Sequence, residues 1–225
     1  MVGKLILQTG LWYGLMAAVL FGAAGTVAWP AAWVFLAEMV AASLVVGLWM
    51  AAKTPELLAE RLSTPVQRRQ KTWDKVFMVV FLVLWFGWLA AMALDAERWR
   101  LSHVPVWLQG LGALAPLLSV HIAWLTFREN PFAAAVVKVQ QDRGHRVVTT
   151  GPYRHVRHPM YAGALFLFLG TPPLLGSWYG LAFLPVIVPA LAARAVMEER
   201  MLTAELDGYP AYAARVRRRL IPGVW

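Results

Sequence analysis

Two short stretches hold most of the side chains able to do chemistry in this chain. The first, TTGPYRHVRHPMYAG at 149–163, gathers two His, two Arg, two Tyr and two Pro. The second, RAVMEERML at 194–202, places Arg194 four residues before Glu198 and follows Glu198 with Glu199. Residues four apart share a helix face, so Arg194 and Glu198 point the same way if 194–202 is helical. Together the stretches offer guanidinium donors for a carboxylate, a carboxylate for an ammonium, and aromatic faces for a ring or cation. Those are the parts a zwitterionic ligand needs.

Other uses of the same residues compete. Arg154, His155 and the run Arg217, Arg218, Arg219 suit snorkelling beside a membrane and contact with anionic lipid headgroups. His155 and His158 are three apart, with His145 upstream, which raises the question of a metal. Arg143, Arg146, Arg154 and Arg157 crowd that site and only Asp142 offsets them, so no metal is expected. The chain has no cysteine, which removes thiolate ligands, a cysteine nucleophile and disulfides.

The elements that must position these residues are apolar. Of 225 residues, 60% are hydrophobic and 15% charged, with a mean hydropathy of +0.56. Soluble domains carry about 25% charge, so this is the composition of a membrane protein. Apolar segments at 5–28, 31–52, 76–94 and 105–127 are each long enough, at ~1.5 Å per residue, to cross a hydrocarbon core of ~30 Å. A fifth apolar region, 159–197, is interrupted by GTPPLLGS and reads as a tight hairpin. The expected fold is all-α: four transmembrane helices, then a helical hairpin, with a polar cofactor-binding segment between them. The first apolar run reads as a mature span, not as a cleaved signal. Trp29, Trp33, Trp73, Trp99, Trp107 and Trp178 fall near segment ends, as interfacial aromatics do.

A pI near 10.4 reflects topology and not nucleic-acid binding. All but Arg98 and Arg100 of the 21 Lys and Arg fall at the N-terminus or in 53–75, 128–158 and 194–225. The positive-inside rule makes that side cytoplasmic, both chain ends included. The arms of the hairpin are antiparallel, so the segment before Pro159 meets the end of the last helix. That brings His158 and Tyr161 towards Arg194, Glu198 and Glu199 at the cytoplasmic surface. Pro159 suits the first position of a helix.

Glu38 and His121 are ionisable positions within spans, about 12 Å and 24 Å from the outer face by helical rise. Glu38 is expected to bond between helices, while His121 is left between lining a lipid pocket and packing. The small-residue runs FGAAG and AEMVAAS suggest close helix packing.

The chain resembles the isoprenylcysteine carboxyl methyltransferase family, within a wider group that includes the phospholipid methyltransferases. The resemblance rests on GHRVVTTGPYRHVRHPMYAG, RAVMEERML and YPAYAARVRRRLIPG and is dense over 131–225. It implies a transmembrane region at 1–130 and a methyltransferase core at 131–225, with S-adenosylmethionine as cofactor. It also implies a lipophilic or prenylated substrate that enters from the bilayer. The cofactor residues it implies are Gln140, His145, Arg146, Val147, Val148, Tyr153, His158, Pro159, Met160, Tyr161 and Glu198. Arg194 is implied to handle substrate. The loop between Gln140 and His145 is shorter than in the eukaryotic members. Carboxyl methylation of an isoprenylcysteine-like acid leads, with phospholipid or other small-lipid methylation as the alternative. An NADPH-dependent membrane reductase is less favoured, because no Gly-rich phosphate turn is present.

Overall fold

The computed structural model describes residues 1–64, 66–67, 70–221, 223 and 225. Two of the cations counted above, Arg68 and Arg69, and Pro222 of the tail motif lie outside the described residues. Helices α1 (Val2–Ala24), α2 (Pro30–Lys53), α3 (Pro55–Arg61) and α4 (Thr72–Ala93) lead into a π-type turn at Leu94–Arg98. Then follow α5 (Val106–Glu129), α6 (Pro159–Leu174), α7 (Leu184–Glu205) and α8 (Tyr209–Arg215). No strand occurs among the described residues. This is an all-α integral membrane protein.

Five helical stretches are long and apolar enough to span a bilayer: Val2–Ala24, Pro30–Lys53, Thr72–Arg98, Val106–Glu129 and Tyr179–Glu205. Their outer faces carry exposed side chains such as Leu7, Leu11, Val45, Val83 and Leu114, which lipid would cover. The shared core is built from Met16, Leu20, Phe35, Trp88, Leu89, Met92, Phe168, Leu175 and Ile187. Trp88 also donates from Nε1 to Gly180 O at 2.8 Å, fixing α4 to the turn before α7.

The expected hairpin forms, but its first arm is short. Helix α6 has 16 residues, about 24 Å of rise, and Pro172 and Pro173 lie in its last turn. Its most extensive packing is against α5, not against α7. The cause is a seam of small residues. A Cβ on Gly112 would sit 2.6 Å from Leu174 N and 2.8 Å from Gly170 O, and one on Gly170 would sit 2.2 Å from the Ala115 Cβ. Backbones that approach this closely exclude any side chain larger than hydrogen. FGAAG plays a different part: Gly22 faces open space, and Gly25 caps α1 at φ 73° under the Arg98 guanidinium.

The charged and turn residues sort to two ends. At one end Asp95 Oδ2 accepts from Ser102 Oγ at 2.6 Å and Ser177 Oγ at 2.5 Å, joining the 94–104 and 175–179 turns. At the other, Lys138 pairs with Glu60 at 2.6 Å and Lys71 with Glu205 at 2.5 Å, joining the segments at 54–71, 130–158 and 198–221. Three of the segments that carry most of the cations therefore meet at one end of the bundle. Trp33, Trp99, Trp107 and Trp178 are exposed near helix ends, whereas Trp29 is buried in the core.

Glu38 and His121 depart from their expected environments. Glu38 Oε2 is buried with no hydrogen-bond partner among the described residues, so the interhelical bond expected there is not made through this oxygen. His121 lies on the exposed face of α5, with its ring 5.8 Å from that of Trp124.

Candidate active site

The segment between α5 and α6 is irregular, with 3-10 turns at Gln141–Arg143 and Gly151–Arg154. It lies over the charged ends of α6 and α7 and closes a cleft with them. Val136, Val137, His145, Arg146, Val147, Val148 and Tyr153 contribute from the segment. His158, Pro159, Met160 and Tyr161 contribute from the α6 start, and Arg194, Glu198 and Leu202 from α7. Tyr209 and Tyr212 of α8 complete the wall.

The α6 start is held in place from three directions. Pro159 stands at the first helical position, where a missing N–H leaves no bond unmade. The ring of His158 stacks on that of Tyr161 at 5.3 Å and 6°. Backbone N–H groups of Arg157 and His158 donate to Arg218 O and Arg219 O, each at 2.9 Å, so the tail runs alongside the motif.

The adjacent acids Glu198 and Glu199 divide the work. One helical step of about 100° turns them to different surroundings. Glu198 lines the cleft, its side chain about a quarter exposed, and accepts from the Tyr161 hydroxyl at 2.7 Å. Glu199 points into the protein. Its carboxylate accepts from Arg157 Nε at 2.6 Å and Nη2 at 3.0 Å, from His158 Nε2 at 3.1 Å, and from Arg219 Nε at 2.9 Å. This buried carboxylate is fully committed to holding the motif and the tail together. Arg219 therefore belongs to the fold and not to the lipid-facing group, while Arg154, His155, Arg217 and Arg218 remain exposed.

Arg194 lies one turn before Glu198 on the cleft face and is itself buried. Its Nε donates to Asp74 Oδ1 at 2.9 Å and its Nη2 to Ala135 O at 2.9 Å. The guanidinium also lies over the rings of Phe77 at 5.1 Å and Tyr161 at 5.5 Å. Asp74, fully buried in the first turn of α4, was not among the residues expected from sequence.

His145 accepts from the Gln140 N–H through Nδ1 at 3.3 Å and stacks on Phe132 at 4.6 Å. Burial, reinforced by the nearby Arg143 charge, lowers its pKa from 6.5 to about 4. It is a neutral imidazole at neutral pH. Burial likewise pushes the Tyr153 hydroxyl well above its usual range, an effect tempered by its bond to Asn130 Nδ2 at 2.7 Å. Tyr212, whose hydroxyl donates to Tyr153 O at 2.9 Å, is pushed up to about 12, chiefly by burial. The cleft thus presents the His145 and Tyr153 rings together with Arg146 along one wall, and Arg194 and Glu198 on the other.

Eleven of the residues expected from sequence meet here: His145, Arg146, Val147, Val148, Tyr153, His158, Pro159, Met160, Tyr161, Arg194 and Glu198. Gln140 does not join them. Its side chain donates to Phe132 O at 2.7 Å and accepts from Arg143, bracing the loop from behind. Sequence reasoning missed Asn130, Leu202, Tyr209 and Tyr212. The tyrosines of YPAY had a legible signal, a spacing of three on a short helix after Gly208.

Residues 107–206 match the phospholipid methyltransferase family, a span from the α5 start to the α7 end that takes in most of the cleft. That match covers under half of the 225 residues. The chain is similar to a protein-S-isoprenylcysteine O-methyltransferase of Schizosaccharomyces pombe, 35% identical over 83 residues. That alignment covers 36% of this chain and 35% of the relative. It is also similar to protein-S-isoprenylcysteine O-methyltransferase B of Arabidopsis thaliana, 28% identical over 122 residues, covering 53% and 59%. A probable protein-S-isoprenylcysteine O-methyltransferase of Oryza sativa is 25% identical over 126 residues, covering 55% and 63%. The chain thus spans from about a third to under two-thirds of the length of these relatives.

Proposed function

We propose that this chain is a membrane-embedded S-adenosylmethionine-dependent methyltransferase that carboxyl-methylates an isoprenylcysteine-like lipophilic acid. The observation that carries the reading is the cleft wall on which Arg194 and Glu198 lie one helical turn apart beside Tyr161. One charged group suits an anion and the other a cation, at the end of the bundle where the basic segments gather. A water-soluble reactant and a lipid-soluble one can both reach such a position. On this reading 1–130 is the transmembrane support, 131–225 holds the cofactor, and the cleft faces the cytoplasm.

The residues present fit the cofactor. Glu198 is partly accessible and fixed by Tyr161, and so is ready for the ammonium of the methionine moiety. The faces of His158 and Tyr161 suit a cationic or planar group. The apolar and ring surfaces of His145, Val147 and Tyr153 suit a nucleoside, with Arg146 beside them. When bound, S-adenosylmethionine supplies an activated methyl group on a sulfonium.

The protein's own part is positioning. A substrate carboxylate is ionised at neutral pH, so no general base is needed. Arg194 anchors that carboxylate through Nη1, which makes no hydrogen bond among the described residues. The segment over the cleft keeps bulk water from the reacting atoms. Purified protein in lipid bilayers should transfer a labelled methyl group from S-adenosylmethionine to a prenylated cysteine acid. No transfer to that acid, with transfer to phospholipid instead, would replace the substrate assignment and keep the reaction class.

A further inference from the structure

Asp74 lies 120 residues before Arg194, in a part of the chain to which the motifs assign no chemistry. It is fully buried in the first turn of α4. Its Oδ1 accepts from Arg194 Nε at 2.9 Å. Its Oδ2 accepts from Gln70 Nε2 at 2.9 Å and from the Val137 N–H at 2.8 Å. Val137 lines the cleft, so this one carboxylate fixes both the arginine and the loop that closes over it.

We propose that Asp74 is a positioning residue for the methyl transfer and acts through Arg194; this deepens the functional reading above and rests on it. Two physical consequences follow from the geometry. The first is orientation. An Arg side chain has many rotamers, and freezing it before substrate arrives lowers the entropy lost on binding. With Nε given to Asp74 and Nη2 to Ala135, the guanidinium plane is set and Nη1 is left for a ligand. The second is charge. An unshared guanidinium would hold a substrate carboxylate strongly in the ground state and draw electron density from the oxygen that must attack. Sharing the cation with Asp74 weakens that hold while keeping the direction of the donor. Interactions equally strong before and during reaction do not raise turnover, so a moderated anchor suits catalysis better than a maximal one.

This assigns to α4, outside the family match at 107–206, a direct role in setting the geometry of the site. The segment before α5 is then more than a membrane anchor.

A double-mutant cycle on the full-length protein in bilayers tests the proposal. It uses Asp74→Asn, Arg194→Lys and the pair, with a prenylated cysteine acid as substrate. Affinity for S-adenosylhomocysteine and thermal stability are measured alongside. Asp74→Asn should lower kcat at least tenfold, change KM for the acid, and leave S-adenosylhomocysteine affinity within threefold. In the Arg194→Lys background the same substitution should lower kcat by less than threefold, because the residue it acts through is already altered. Should Asp74→Asn not fold, Gln70→Ala, which removes one of the three donors to Asp74, replaces it in the cycle with a smaller effect of the same pattern. Additive losses in kcat, or an Asp74→Asn variant with wild-type kcat, would overturn the proposal. Wild-type protein that binds S-adenosylhomocysteine but methylates no acid would overturn the substrate reading first, a result distinct from additivity in the cycle.

Discussion

Arg157 grips Glu199 through both Nε and Nη2, at 2.6 and 3.0 Å, in a buried bidentate pair that the tail then covers. The pair lies behind the cleft wall, and its neighbour Glu198 faces into the cleft. Two acids adjacent in sequence thereby face different surroundings.

The two should separate on substitution. Removing one partner of a buried ion pair leaves the other charge unsatisfied, at a cost of about 3–5 kcal/mol. Glu199→Ala should therefore lower the melting temperature markedly. Glu198→Ala should melt close to wild type but bind S-adenosylhomocysteine ten- to a hundredfold more weakly, or about 1.5–3 kcal/mol for a charged hydrogen bond. Calorimetry and thermal melting on both variants check this. Equal melting temperatures would mean that the α7 register is wrong.

Tyr161→Phe removes the hydroxyl that orients Glu198 and keeps the ring against His158. The loss should be about 0.5–1.5 kcal/mol of binding, or two- to tenfold in affinity, with the fold intact. Titration calorimetry reads it directly.

Protonation of His145 should loosen the segment over the cleft. Its folded pKa of about 4 lies below the ordinary 6.5, because of burial and then Arg143. The unfolded chain therefore takes the proton first as pH falls. Stability contributed at this position is present above pH 6.5 and lost as pH drops towards 4. Melting curves between those limits should show a decline that His145→Asn reduces. An unchanged slope in the variant would contradict the buried neutral imidazole.

The α5–α6 seam predicts a position that tolerates no added methyl. In Gly112→Ala the new Cβ would meet backbone atoms of Leu174 and Gly170 at under 3 Å, and backbone cannot swing aside as a side chain tip can. Overpacking of this kind costs about 1–3 kcal/mol. Gly22→Ala, with open space around it, should be neutral or slightly stabilising. Parallel thermal melts of the two variants test the contrast.

The sequence made the spans, the hairpin and most of the cleft legible because each rests on a local signal. Apolar length marks a span, GTPPLLGS marks a turn, and the four-residue spacing of Arg194 and Glu198 marks a shared face. The parts that stayed hidden depend on long-range contact. Asp74 reads as an ordinary acid in a helix first turn, where the macrodipole alone would favour one. Nothing near it in sequence indicates Arg194. Gln140 sits close to its expected place along the chain, but the short turn to His145 folds its amide back onto Phe132 and Arg143. The tight seam at Gly112 and Gly170 was less visible than FGAAG, because single glycines on two helices reveal a contact only once their pairing is known. A lone acid in a span usually has a partner, yet Glu38 Oε2 lacks one among the described residues.

Titration of the purified wild-type protein with S-adenosylhomocysteine and, separately, with NADPH tests the central claim most directly. The expected result is saturable binding of S-adenosylhomocysteine, weakened at least tenfold in Glu198→Ala, and no saturable binding of NADPH. Binding of NADPH with none of S-adenosylhomocysteine would contradict it.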